Sequence, residues 1–181
     1  MNPENDYTQE MFELPGGSEV VEAVVHGSWT ITDGAAVGTP DSTKTPPALT
    51  QREGATYTDG RATITTASTG SSRGALVYTR GKSTIEGWRG YAFRVSGFVG
   101  QLVRYDTGGT VTVLGTSGGP WAAGTELAIE AEGTTIRAFR NGVERVSVTD
   151  ATFASGRMGY GYVDNFNTPG IAEFIASSDV G

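Results

Sequence analysis

Between Thr125 and Asp150 the chain reads TELAIEAEGTTIRAFRNGVERVSVTD. Leu127, Ile129 and Ala131 alternate with polar neighbours; Ile136 and Ala138 do the same in the next run, and Val146 and Val148 in the third. A period of two puts each set on one side of an extended strand, so each run buries one face and solvates the other. Asn141-Gly142, between the second and third runs, is a pair that tolerates positive φ at both positions, as a tight type I′ hairpin requires. Such a stretch can only be consecutive antiparallel strands.

The same pattern fills the chain from Glu19 onward: EVVEAVV, GSWTITDG, GRATITTAS, RGALVYTRG, GYAFRVSG, GQLVRYDTGGTVTVLG, GRMGYGYVD and IAEFIAS. Each run has four to eight β-branched or aromatic residues bounded by Gly, Asn, Asp or Pro. Residues 8–14 alone come near a helical spacing, over too short a length. Asp106-Thr107-Gly108-Gly109 marks a second hairpin. In GTPDSTKTPPALT, Pro46 and Pro47 argue against a central strand. Short, evenly spaced strands predict a sandwich or jelly roll.

Composition narrows what such a domain can do. The formal charge is −7 and no Lys/Arg cluster is present, which excludes the phosphate backbone of nucleic acid as a partner. There is no cysteine and one histidine, His26, so disulfides, thiolate sites and zinc are out of reach. No run approaches the roughly 18 apolar residues of a membrane helix. The opening MNPENDYTQEMFELPGG has neither the basic start nor the apolar core of a secretory leader, which predicts synthesis in the cytoplasm without general export. Residues 1–18 form an acidic arm, either frayed or ordering on a neighbouring subunit through Met11, Phe12 and Leu14; residues 19–181 form the domain.

Three stretches together resemble a known family: GRATITTASTGSSRGALVYTRG, then GYAFRVSGFVGQLVRYDTGG, then the long run from Trp121 to Gly161. Their order is similar to that of concanavalin A-like, laminin G-like jelly rolls, whose G-x-x-I-x-x-x-x-N-G and following T-D-x-x-x-x-x-G-R-x-G are matched from Gly133 through Gly159. The likeness covers roughly residues 27–176. It departs at the last strand, where Glu173 stands alone before Phe174 in place of an acidic pair. It implies an all-β sandwich of two antiparallel sheets, one concave and one convex. Such modules serve as lectins, polysaccharide-binding domains, glycoside hydrolases, adhesion domains and parts of phage tails and capsids, so function must come from the site.

A glycosidase needs two carboxylates across a cleft. Glu130 and Glu132 share a strand face about 6–7 Å apart by strand rise, but related glucanases alternate three acids on that strand, and positions 128 and 134 here are Ala and Thr. The pair reads as a solvated face, and catalysis is not expected. His26 precedes Gly27 without a G-x-S-x-G elbow and reads as a turn histidine. TRGKST lacks the first glycine of a phosphate loop. The resemblance admits calcium on a rim loop: Asp164, Asn165 and Asn167 supply oxygen ligands in one loop, and Asp59 offers another, although Asx turns explain the same residues. Glycan binding would use aromatic faces, for which Trp88, Tyr91, Tyr160 and Tyr162 are the candidates, unless they are core.

A module of this kind without leader, cysteine or second domain leads to a first expectation: a non-enzymatic structural component of a phage particle. It would be a capsid decoration or minor tail protein, located in the virion and docked on other virion proteins or on copies of itself. The alternative is a carbohydrate-binding module for host-surface glycans; a polysaccharide-acting enzyme comes third.

Overall fold

The computed structural model describes residues 11–12, 22–46, 48–52, 54–67, 73–163 and 169–178. In chain order the strands are β1 (Met11–Phe12), β2 (Glu22–His26), β3 (Ser28–Thr32), β4 (Ala35–Thr39), β5 (Ala48–Arg52), β6 (Gly60–Thr66), β7 (Ala75–Thr84) and β8 (Gly87–Ser96). They continue with β9 (Val99–Tyr105), β10 (Val111–Ser117), β11 (Glu126–Glu132), β12 (Thr135–Arg140), β13 (Val143–Thr149), β14 (Arg157–Tyr162) and β15 (Ile171–Ser177). No helix forms among the described residues. The strands build two antiparallel sheets: β1-β2-β5-β14-β7-β8-β9-β10 and β13-β12-β11-β6-β15-β4-β3.

The alternation does what it predicts. In β6, Ala62 and Ile64 point into the sandwich while Arg61, Thr63 and Thr65 face out. Ala62, Ile64, Leu127, Ile129, Ile136 and Ala138 of the seven-stranded sheet meet Val77, Tyr91, Phe93, Leu102, Met158 and Tyr160 of the other in one core. Burial of each large side chain there contributes about 1.5–3 kcal/mol. Asn141 (φ 49) and Gly142 (φ 73) make the expected turn between β12 and β13. Strand β5 is a correction: the proline-rich segment leads straight into it, and it lies inside the larger sheet between β2 and β14. Proline bars the interior of a central strand; it does not bar a strand that begins just after it.

The larger sheet departs from simple alternation. β7 is buried at seven consecutive positions, because both its faces are covered. Leu49, Leu76, Tyr78, Trp88, Ala92, Val103 and Tyr105 form a second apolar cluster on the outward face, none more than 2% exposed. Tyr78, Trp88 and Tyr105 meet edge to face there, with centroids 4.9 and 5.4 Å apart.

The sheet also curls around this face. His26 Nδ1 lies 2.7 Å from the carbonyl oxygen of Pro46, to which it donates. A Cβ on Gly109, in the β9–β10 loop, would stand 3.8 Å from Thr45 Cβ. In a flat sheet β2 and β9, five strand steps apart, would be about 24 Å from each other. Adjacent residues of the β4–β5 loop touch both margins, so the margins converge and the outward face of the larger sheet is the concave one. The loop closes that end of the concavity.

Candidate functional site

Most of the residues singled out from the sequence serve the frame. Trp88, Tyr91, Tyr160 and Tyr162 are all buried, at 2%, 0%, 0% and 0% exposure, so none offers a ring face to a sugar. Tyr160 and Tyr162 pack on Trp29, and the Tyr162 hydroxyl donates to the carbonyl of Pro169 (2.8 Å). Burial pushes its phenol up to about 12. In a sheet covered on both sides, aromatic alternation marks two interiors. Within the arm, Met11 and Phe12 pair with Ala23 and Glu22 on the chain's own sheet edge; Leu14 lies outside the described residues. So do Asp164, Asn165 and Asn167. Asp59 accepts from the Gly133 amide (2.7 Å) and lies 3.4 Å from Arg80. Among the described residues no group of three or more His, Asp or Glu side chains is placed to hold a metal ion.

Arg80, which no sequence pattern singled out, holds that corner. It is 2% exposed, sits at a positive φ of 52° in the β7 bulge, and donates to the carbonyls of Thr58, Phe153 and Gly133. Each of the three guanidinium nitrogens finds an oxygen, so the charge ties three loops together.

Glu130 and Glu132 do share the outward face of the smaller sheet, but Glu130 is not solvated. It stands in register between Arg61 on β6 and Arg137 on β12, and its side chain is 2% exposed. Arg137 Nη1 donates to Glu130 (2.9 Å) and to Glu132 (2.8 Å), and its Nε lies 3.9 Å from Glu144. Both carboxylates are engaged by guanidinium. A similar self-contained network lies at the sandwich mouth. Asp150 accepts from Arg104 (2.7 Å), Tyr91 (2.6 Å) and the Thr152 amide (2.8 Å). Burial raises the Asp150 carboxyl, but the bonds from Thr152, Tyr91 and Arg104 outweigh it and hold the group at about 2. His26 is lowered, by burial first, against its bond to Pro46.

One polar cluster has a different character. Arg94 on β8 pairs across the ladder with Gln101 on β9, on the same face as Leu76, Ala92 and Val103. Its Nε and Nη2 donate to Gln101 Oε1 at 3.1 and 3.0 Å, and its Nη1 to the Tyr105 hydroxyl at 2.9 Å. Both Arg94 and Gln101 are half-buried. They lie two ladder rungs below the β8–β9 turn, roughly 10 Å from it along the strand, at the end of the concave face away from the β4–β5 loop. At that turn Gly97 supplies the positive φ of 60° and Phe98 follows. Phe98 is 74% exposed, so its ring stands mostly in water. Its backbone is fixed by Trp121, whose indole donates to the Phe98 carbonyl at 2.9 Å, and whose ring fills the space a Cβ on Gly100 would need. Arg73 lies over the ring of Phe98, 4.5 Å from its centroid. This end of the larger sheet thus carries an exposed ring at its turn and, about 10 Å along the strands, a fixed polar pair beside a buried apolar cluster. The sequence signal was available: a large ring at the second position of a two-residue turn, after Gly97, cannot reach the core.

Two stacked antiparallel sheets in this order, one curled around its outward face, are a concanavalin A-like jelly roll. No protein-family model matches the chain, and no curated protein matches it. Solved structures do. The carbohydrate-binding module CBM66 from Bacillus subtilis superposes with a TM-score of 0.65 at 18% identity, covering 83% of this chain and 90% of that one. The exoplasmic/lumenal domain of VIP36, in a Ca2+/Man3GlcNAc-bound form, superposes at 0.61 and 14% identity, covering 88% and 84%. Alginate lyase A1-II′, a member of polysaccharide lyase family 7, does so at 0.52 and 15% identity, covering 82% and 81%. At these identities the likeness is one of fold.

Proposed function

We propose that the chain is a non-catalytic glycan-binding module, with its ligand seated on the open end of the concave face across Phe98, Arg94 and Gln101. The observation that carries the reading is Phe98, an exposed ring at the turn of the two strands that hold the polar pair, on a backbone that Trp121 holds. Apolar contact on a ring plus a few fixed hydrogen-bonding groups is the chemistry of a sugar site. The neighbours' own names support it, since they include a carbohydrate-binding module and a domain solved with a mannose-containing glycan. A lyase also shares the fold. Against catalysis in this chain stand the guanidinium-bound Glu130 and Glu132, and His26 bound to Pro46 under the loop.

A glycan array followed by calorimetry tests this. Binding that weakens about tenfold in Phe98→Ala, with the melting temperature unchanged, is the expected result; binding indifferent to Phe98 overturns the assignment of the site. Mounting on a virus particle, as a capsid decoration or minor tail protein, is a separate proposal about where the module sits. Counting its copies in sedimented particles tests that.

A further inference from the structure

We infer that the sugar this site takes is anionic, with a carboxylate or sulfate ester seated on Arg94. The inference rests on the glycan-binding reading and adds the ligand's class. Its basis is the company Arg94 keeps. A guanidinium has five N–H donors. Three are used, by Gln101 Oε1 twice and by the Tyr105 hydroxyl once. One N–H remains on each Nη, so the group keeps two charged donors for the oxygens of an anion.

Both partners of Arg94 are neutral, and no described carboxylate lies within ion-pair distance of it. That contrasts with Arg104 and Arg137, which are gripped by two and three carboxylates respectively. Gln101 and Tyr105 hold the planar group still without cancelling its charge. Rigid positioning removes part of the ordering cost of binding, and an uncancelled charge beside a buried apolar cluster attracts an opposite one more strongly than in water. A neutral sugar would use the same N–H groups but leave the charge uncompensated.

The chain's net charge of −7 does not defeat this. At physiological salt the Debye length is about 8 Å, so exposed acids elsewhere on the domain are largely screened from the site. A direct guanidinium–anion contact is inside that distance.

The test uses the full chain and three oligosaccharide probes: oligogalacturonate for the carboxylate, a κ-carrageenan oligosaccharide for the sulfate, and a neutral galacto-oligosaccharide of matched length. At least one anionic probe should bind more tightly than the neutral one, with affinity falling as salt rises from 50 to 500 mM. Which anionic probe wins identifies the group. Arg94→Gln should weaken the anionic probe about 10–100-fold and leave the neutral one alone. Tyr105→Phe, which removes one positioning bond and no charge, should cost only a few-fold. Equal affinity for the neutral and anionic probes, or an Arg94→Gln variant that is folded and binds the anion as wild type, overturns the inference while glycan binding stands. No binding of any glycan on the array overturns both.

Discussion

The two outward faces of the sandwich each set an arginine in mid-strand, and the two arginines are treated in opposite ways. On the smaller sheet Arg137 lies between Glu130, Glu132 and Glu144, with Arg61 on the other flank of Glu130. On the larger sheet Arg94 is held by an amide and a phenol. The first face closes these charges among themselves. The second fixes a cation and leaves two donors and a charge available, with an exposed ring at the turn beyond. Burial alone would not separate the faces, since both carry half-buried arginines. The identity of the partners does.

Variants on the two faces should therefore fail in different ways. Arg137→Met strands Glu130, buried and left with Arg61 at 3.6 Å. It should cost about 3 kcal/mol of stability in chemical denaturation and leave glycan affinity unchanged. A loss of binding at that site with stability intact would erase the contrast.

The Arg104–Asp150 network extends the self-contained pattern, and acid should reveal it. The Asp150 carboxyl is at about 2 when folded, below its ordinary 3.8. Folding therefore favours the charged form, and that stability is whole above pH 3.8 and is lost as the pH falls toward 2. The expected loss is about 2 kcal/mol, flattened in Asp150→Asn, which starts out less stable. A wild-type profile in that window no steeper than the variant's would contradict the network's assigned strength.

Phe98→Ala comes next in size, about 1.4 kcal/mol of binding for a tenfold change, with no change in denaturation midpoint. The smallest effect belongs to His26. Its folded pKa lies below 6.5 because burial disfavours the cation. The unfolded chain then binds the proton better, so stability is whole above pH 6.5 and declines as the pH falls through 6.5 toward the folded value. A melting temperature that falls between pH 7.5 and 5.5 in wild type, and less so in His26→Gln, is the expected outcome. Equal slopes would remove His26 from the loop's support.

The frame was legible because period-two alternation and Asn141-Gly142 encode strand and turn locally. β5 was missed because its residues follow Pro46 and Pro47, which look like loop until the strand's starting point is known. The site was harder. Tyr91, Tyr160 and Tyr162 alternate as a sugar platform would, but alternation says only that residues share a face; it does not say what covers that face. Here the larger sheet is covered on both sides near its middle. Arg94 and Gln101 meet only through the β8–β9 register, and neither FRVSG nor GQLVR alone shows the pair. Phe98 was readable from Gly97-Phe98 as a turn residue too large to be buried.

The most direct measurement is a nuclear magnetic resonance titration of the 15N-labelled domain with oligogalacturonate, following the backbone amides and the arginine Nε–H signals. The largest shifts should fall on Arg94 Nε–H and on the amides of residues 96–101, while Arg61 and Arg137 stay still. Shifts centred on β11 and β12 would contradict it.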